Sequence, residues 1–338
     1  IVVPSQRRHV VAYGCNEEAT DVFNPRAIRW CDFEDLNDWV SLPANNAGEF
    51  ILEGSGRIVR ALEGPFGTFI WTSAELWFQE FVGAPGQTYR FTRVGVGCGL
   101  AGPNAAVVYE GFAYWISPDF SFWRAAPGQP PEKISSPIQD ELEDQIAEVQ
   151  QDKIYASTVG EYGEVVWFYP DKRDGNEVSR YYAVNVAEGS WSAGRLARTA
   201  HIDAGSLVAP VAVEYDAEND ESTIYYHERG TSANGGPIEW SMTTGDFYIS
   251  EGGRVVQCKG VWPDIERQQG VANLTITTKQ FPQGDERING PFPMTPSQDR
   301  VHFLVSGRIM RFKFSGSTSP CQFRFGRINM ELNARGSR

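Results

Sequence analysis

The stretch RVGVGCGLAGPNAAVVYEG, Arg93 to Gly111, carries two competing readings of the fold. Taken as Gly97-x-Gly99-x-x-Gly102, it matches the fingerprint of a dinucleotide-binding turn. There a strand feeds a glycine loop, and a helix N-terminus then meets the pyrophosphate. The residues that follow reject that reading. Pro103-Asn104 interrupts, and AAVVYEGFAYWIS has the apolar runs and central glycine of a β-hairpin. No βαβ unit follows, so the glycines are read as a turn between sheets with Cys98 packed inside, and NAD binding is set aside.

The rest of the chain has the same texture. It has 338 residues, 41% hydrophobic and 13% aromatic, with 34 Gly and 20 Pro spread throughout, a mixture that favours short strands punctuated by turns. HVVAYG and AIRWCDF come first. EFILEGSGRIVRALEGPFGTFIWTS then reads as strand, turn, strand, turn, strand. ELWFQEFV and TYRFTRV, EVVWFYP and RYYAVNV, and VAPVAVEYD and STIYYHE form further pairs. This rhythm resembles propeller blades, and about 250 residues would make five or six of them. From about residue 254 the texture shifts to five strands with basic outward positions. PQGDERINGPFPMTPSQD lies between them as a long loop. The expected fold is all-β: an irregular β-propeller in an acidic body over 1–253, a small β-sandwich-like basic domain over 254–338, and one short helix.

The helix is expected from Ser136, with Ser136 as N-cap, Pro137 at the first helical position and Gln139 completing a capping box. Ile138, Leu142, Ile146 and Val149 fall on one stripe. Glu143, Asp144 and Glu148 occupy the solvated face.

Net charge is -13 and unevenly spread. Residues 254–338 hold 13 Lys+Arg against 6 Asp+Glu, a net +7, and residues 1–253 hold 17 against 37, a net -20. An acidic body repels nucleic acid. Cys15, Cys31, Cys98, Cys258 and Cys321 are odd in number and lack a CxxC, which argues for buried free thiols rather than a disulfide framework or zinc site. No apolar run is long enough to cross a bilayer, and no signal peptide is evident. The chain enters at Ile1 as strand-like material, which suits a start inside a longer chain.

Candidate chemistry is thin. His201-Ile202-Asp203 places two potential ligands on one side of an extended segment, but a metal needs three or four. His9, His227 and His302 are far away in sequence, so His201 reads as a hydrogen-bonded turn histidine. Asp216-x-Glu218-x-Asp220 resembles part of a calcium loop without its central glycine or its final bidentate Glu, so it reads as a hairpin tip. Asn273-Leu274-Thr275 fits a glycosylation sequon. There is no Gly-x-Ser-x-Gly. Trp115, Trp167 and Trp191 read as packing residues. No catalytic, cofactor or metal residue is assigned.

Several phrases nevertheless resemble the virion proteins of short-tailed bacteriophages: the tail nozzle, tail-hub and packaged-DNA-stabilisation proteins. They are IRWCDFEDLNDWVSLPANNAGEF, GCGLAGPNAAVVYEGFAYWIS, GEVVWFYP, RYYAVNVAEGSWSAGRLARTAHIDAG and IYYHERG, together covering about residues 26–230, with 164–205 the most specific. The resemblance implies a homo-oligomeric ring, commonly of six copies, in the virion tail, assembled in the host bacterial cytoplasm. It implies contacts with other tail, adaptor or portal proteins, and a channel that passes DNA without specific binding and retains the packaged genome. It implies no membrane partner, no cofactor and no enzymatic activity. The alternative is a carbohydrate-binding or carbohydrate-cleaving β-propeller of the tailspike type, which needs paired carboxylates beside exposed aromatics.

Overall fold

A computed structural model describes residues 2–4, 8–84, 87–248 and 254–334. Pro85 and Gly86, in the expected turn GAPGQ, and Ile1 and residues 5–7, in the strand-like entry, lie outside the described residues. The chain divides into two compact units, Ile1–Glu228 and Arg229–Arg338.

The first unit is a run of five antiparallel sheets, each built from consecutive strands. The first four have four strands each and span Val2–Ile51, Ile58–Val96, Ala106–Ile134 and Tyr155–Arg195, and the fifth has three over Ala200–Tyr226. The leading strands of successive sheets approach one another, as the inner strands of propeller blades do. The fold is therefore an irregular β-propeller, and the five sheets are called blades 1 to 5.

The apolar runs show why the sheets stack. In Gly67–Thr72 of blade 2, Phe69, Ile70 and Trp71 are consecutive and all fully buried. Alternation sends Phe69 and Trp71 to the cluster shared with Trp115 of blade 3, and Ile70 to the cluster shared with Tyr13 and Ile28 of blade 1. A sheet covered on both faces needs such a continuous run, and a half-exposed one does not. Glu164–Pro170 of blade 4 repeats the device. Val165, Trp167 and Tyr169 face the blade 3 side, while Val166 and Phe168 belong to a separate cluster with Val178 and Ala183. Trp71 meets Trp115 edge to face at 5.5 Å, and Phe122 meets Trp167 at 4.9 Å. Trp115 and Trp167 are thus core residues, and Trp191 is half-buried against Trp167.

The helix runs Gln139–Gln145, later than expected, and its N-cap is Ile138 with no side-chain cap. Ser136 Oγ instead accepts from the Ile138 amide, which makes it part of a turn before the helix. Leu142 and Ile146 are buried as the stripe requires, but Val149 is 94% exposed. The reason is local: Ile146 is extended (ψ 143°), so the helical period stops before Val149 is reached.

The second unit is a two-sheet sandwich. Its five-stranded sheet combines Trp240–Thr243, Phe247–Tyr248, Ala272–Lys279, Arg287–Met294 and Ile309–Gly316. Its three-stranded sheet combines Val256–Gln269, Val301–Gly307 and Gln322–Ala334. Leu274, Ile276, Phe312 and Phe314 of one sheet close the core with Cys258, Val261 and Val305 of the other. Two expectations are corrected here. The boundary falls at 228/229 and not at 253/254, because Trp240–Thr243 and Phe247–Tyr248 pair with Ile309–Gly316. The Pro-rich segment is not all loop, since Arg287–Met294 pairs with Ala272–Lys279 despite its two prolines.

Candidate functional site

The glycine-rich turn holds no nucleotide architecture. Gly97 adopts a positive φ of 73° as the chain leaves the last strand of blade 2. Gly99 lies so close to Ser73 that a Cβ would fall 2.3 Å from its carbonyl carbon, and at Gly102 one would fall 2.7 Å from the Gln151 carbonyl oxygen. The fingerprint spacing therefore arises from one turn and two close backbone approaches. Cys98 is fully buried, and its carbonyl accepts from Trp115 Nε1 at 2.9 Å. Blade 3 then begins with the hairpin Ala106–Tyr109 and Phe112–Ile116.

A cleft of about 560 Å³ draws its lining from blades 1 to 3 and from the segment leading into blade 4. Its polar side chains include Arg57, Ser73, Gln151 and Asp152, with Tyr13 and Phe23 alongside. Among the described lining residues Asp152 is the one carboxylate, so this cleft lacks the acid–base pair of a glycosidase.

Polar chemistry concentrates instead where blade 5 meets blade 4. Phe168 turns its ring from blade 4 toward His201, 5.7 Å away. Around that contact the leading strand Tyr155–Val159 is joined to the segment 198–203 by side chains. Tyr155 Oη donates to the Arg198 carbonyl at 2.9 Å, and Ser157 Oγ lies 2.8 Å from His201 Nδ1. Asp203 Oδ2 accepts from Thr158 Oγ1 at 3.2 Å and from the Gly160 amide at 2.8 Å. On the other side Arg198 donates from Nε to His227 Nε2 at 2.9 Å and pairs with Glu214 at 2.9 Å, its guanidinium 4.2 Å from the Tyr225 ring. An arginine cannot accept, so His227 presents an unprotonated Nε2. Burial, then Arg198, then His201 push its pKa down to about 4, and burial also lowers that of His201.

The histidines that sequence separates are thus brought together, with ring centroids 5.5 Å apart. Their separation in the chain gave no signal of this. Ser157, His201 and Asp203 have the composition of a nucleophilic triad but not its wiring. Ser157 is buried, and Asp203 is held by Thr158, Gly160 and the Ala204 amide. Among the described residues no group of three or more His, Cys, Asp or Glu is placed to hold a metal ion.

Three carboxyls, Glu161, Glu164 and Glu228, share the neighbouring turn region. Desolvation and then Glu228 raise the pKa of Glu164, while desolvation and then Glu161 raise that of Glu228. Glu228 has a positive φ of 54°. Carboxyls that resist joint ionisation are the usual material of acid–base chemistry. Glu161 and Glu164 flank one turn, but Glu228 lies too far along the chain for sequence to group it with them.

The other candidates settle into structure. Asp216 Oδ1 accepts from the Glu218 amide at 2.9 Å, and Tyr215 Oη donates to Asp220 at 3.0 Å, so the acidic triplet closes a hairpin tip. Asn273 lies in Ala272–Lys279 of the sandwich. His9 is buried and its Nδ1 lies 2.9 Å from the Cys31 carbonyl oxygen, whereas His302 is exposed. Cys31, Cys98 and Cys258 are buried free thiols, and Cys15 and Cys321 are partly exposed free thiols. Among the described residues no helix is long and apolar enough to cross a membrane.

No protein-family model matches the sequence, and neither does any curated protein. Among solved structures, the chain is similar to one in an S. cerevisiae dbp5 complex (TM-score 0.37, 13% identity), covering 66% of this chain and 58% of that one. It is also similar to an exo-β-1,3-galactanase from Phanerochaete chrysosporium (TM-score 0.27, 10% identity, 98% and 80% covered). A third is a bifunctional GH43-CE protein from Bacteroides eggerthii (TM-score 0.30, 10% identity, 97% and 61% covered). Glycoside hydrolases are among the solved structures to which the chain is similar, so the expectation that it has no enzymatic activity is withdrawn.

Proposed function

We propose that the chain is a structural, self-associating propeller of a phage tail conduit, whose acidic bodies border a passage for DNA. One observation carries the reading: charge is partitioned between two separately folded units. The first, 1–228, holds 16 Lys+Arg against 34 Asp+Glu, a net -18, and the second, 229–338, holds 14 against 9, a net +5. Opposed charge on the two ends of one chain favours head-to-tail contact between copies, and a closing rotation makes a ring. A strongly acidic wall repels phosphates and lets DNA slide past it. The phrases that resemble tail nozzle proteins fall almost wholly within the acidic unit. The test is electron microscopy of the purified full chain. Closed rings around an open channel are expected, and dispersed single copies at every concentration overturn the reading.

A second reading, carbohydrate cleavage, is favoured by the raised pKa values of Glu164 and Glu228 beside the exposed Tyr162. Two carboxyls and a stacking aromatic are the minimum of a glycosidase site. Release of reducing ends from bacterial polysaccharide, lost in Glu164→Gln and in Glu228→Gln, would support it. Equal release by the variants and the parent chain would end it.

A further inference from the structure

The long loop of blade 1 that joins Phe23–Trp30 to Gly48–Ile51 is braced by hydrogen bonds among its own groups. Asp32 Oδ1 accepts from the Asn46 amide at 2.7 Å, and the Asp32 amide donates to the Asp38 carbonyl at 2.8 Å. Asn45 Nδ2 donates to Asp38 Oδ2 at 2.9 Å and to the Val40 carbonyl at 2.8 Å. Arg29 donates to the Trp39 carbonyl at 2.8 Å, and the Ser41 amide donates to Glu18 at 2.8 Å. Four of its apolar side chains are exposed: Phe33 is 46% exposed, with one edge against His9, Leu36 62%, Val40 52% and Leu42 53%. Single exposed apolar residues are ordinary, but four on one internally braced loop are not. Glu34, which pairs with Arg8, and Asp35 are exposed, and residues 31–47 hold four acids and no Lys or Arg, which leaves the patch with an acidic rim.

We infer that this loop is a docking knob for the sandwich unit of a second copy of the chain. The inference rests on the self-association proposed above and names its surface. The occupant follows from charge and chemistry. The second unit carries a net +5, and its three-stranded sheet exposes Leu304 (66%) and Trp262 (38%). Arg300, paired with Glu331, stacks 4.4 Å over Trp262, and Arg324, paired with Glu266 at 3.6 Å, and Arg327 are exposed on the neighbouring strand. An apolar centre with a basic surround complements an apolar knob with an acidic rim, which is the usual division between interface core and rim. Each copy then offers one knob and one socket, the arrangement that propagates a ring.

The experiment measures particle mass by sedimentation for the full chain and three variants, with circular dichroism confirming the parental strand content in each. Leu36→Glu with Leu42→Glu replaces exposed side chains outside the backbone network. It should raise the concentration for half-assembly by roughly tenfold or more. Glu34→Lys with Asp35→Lys should do the same. Adding Arg324→Glu and Arg327→Glu to that charge-reversed chain should restore assembly, because the reversed rim then meets a reversed socket. If the parent chain assembles and the loop variants assemble equally well, the knob is wrong while self-association stands. If the parent chain never assembles, self-association itself fails, and the knob with it. Loss of assembly that the second reversal does not restore overturns the sandwich unit as occupant.

Discussion

Arg198 donates from Nε to Nε2 of His227 across 2.9 Å, so a permanent cation holds a neutral imidazole at the junction of blades 4 and 5. Protonating His227 would remove the acceptor and place a second positive charge against the first.

That relationship fixes a pH dependence. The imidazole titrates near 6.5 in an unfolded chain and at about 4 here. Its folded pKa is depressed, so the unfolded state takes up the proton first as pH falls. The stability it confers is complete above pH 6.5, declines between 6.5 and about 4, and is gone below that. The full effect is at most about 3 kcal/mol. Denaturant unfolding of the first unit should show this slope, and His227→Gln should flatten it. An unchanged slope in the variant would assign the acid sensitivity elsewhere.

Asp171 should be the most expensive single acid to remove. Its side chain is fully buried, paired with Arg173 at 2.6 Å and Arg180 at 3.2 Å. Burial pushes its pKa up, but the hydrogen bonds from Arg173 and the charge of Arg180 outweigh that and hold it below the usual carboxylate range. Asp171→Ala should cost about 1–3 kcal/mol, because buried donors of Arg173 and Arg180 lose their acceptor although Glu141 and Asp174 still offset their charge. Thermal unfolding of the variant checks this, and a loss under about 1 kcal/mol would count against the network.

The glycine turn offers a sharper contrast. Gly99→Ala must push a methyl into the Ser73 backbone and should destabilise by about 1–3 kcal/mol. Gly97→Ala meets nothing within 4 Å and carries only the strain of its positive φ, about 1 kcal/mol. Unfolding midpoints of the two variants should rank in that order. Nucleotide-dependent stabilisation of the parent chain would contradict the account of this turn.

The boundary at 228/229 predicts how fragments behave. A fragment starting at Arg229 should fold and melt cooperatively, since the sandwich has its own core. One starting at 254 lacks Trp240, whose ring packs 4.9 Å from Phe323. It should melt at least about 10 °C lower, since it also loses the strands Trp240–Thr243 and Phe247–Tyr248 and a half-buried aromatic from a small domain. Equal melting points would return the boundary to the later position.

Much of this architecture is written locally. Gly111 between two aromatic runs marks the blade 3 hairpin, and the GTFIWT run marks a strand covered on both faces. The features that escaped are those that depend on distant partners. Arg287–Met294 carries two prolines and reads as loop until Ala272–Lys279 lies beside it. Ser136 has the chemistry of an N-cap, yet it caps a turn. The His201–His227 contact and the Glu164–Glu228 coupling each join residues that only the stacking of blade 5 on blade 4 brings close. No spacing in the sequence encodes that stacking.

The most direct test of the central claim is the sedimentation mass of the full chain across a salt series. The account predicts one discrete assembly, a whole multiple of 37.7 kDa, that dissociates as salt screens the opposed charges of the two units. A single 37.7 kDa species at every protein and salt concentration would contradict it.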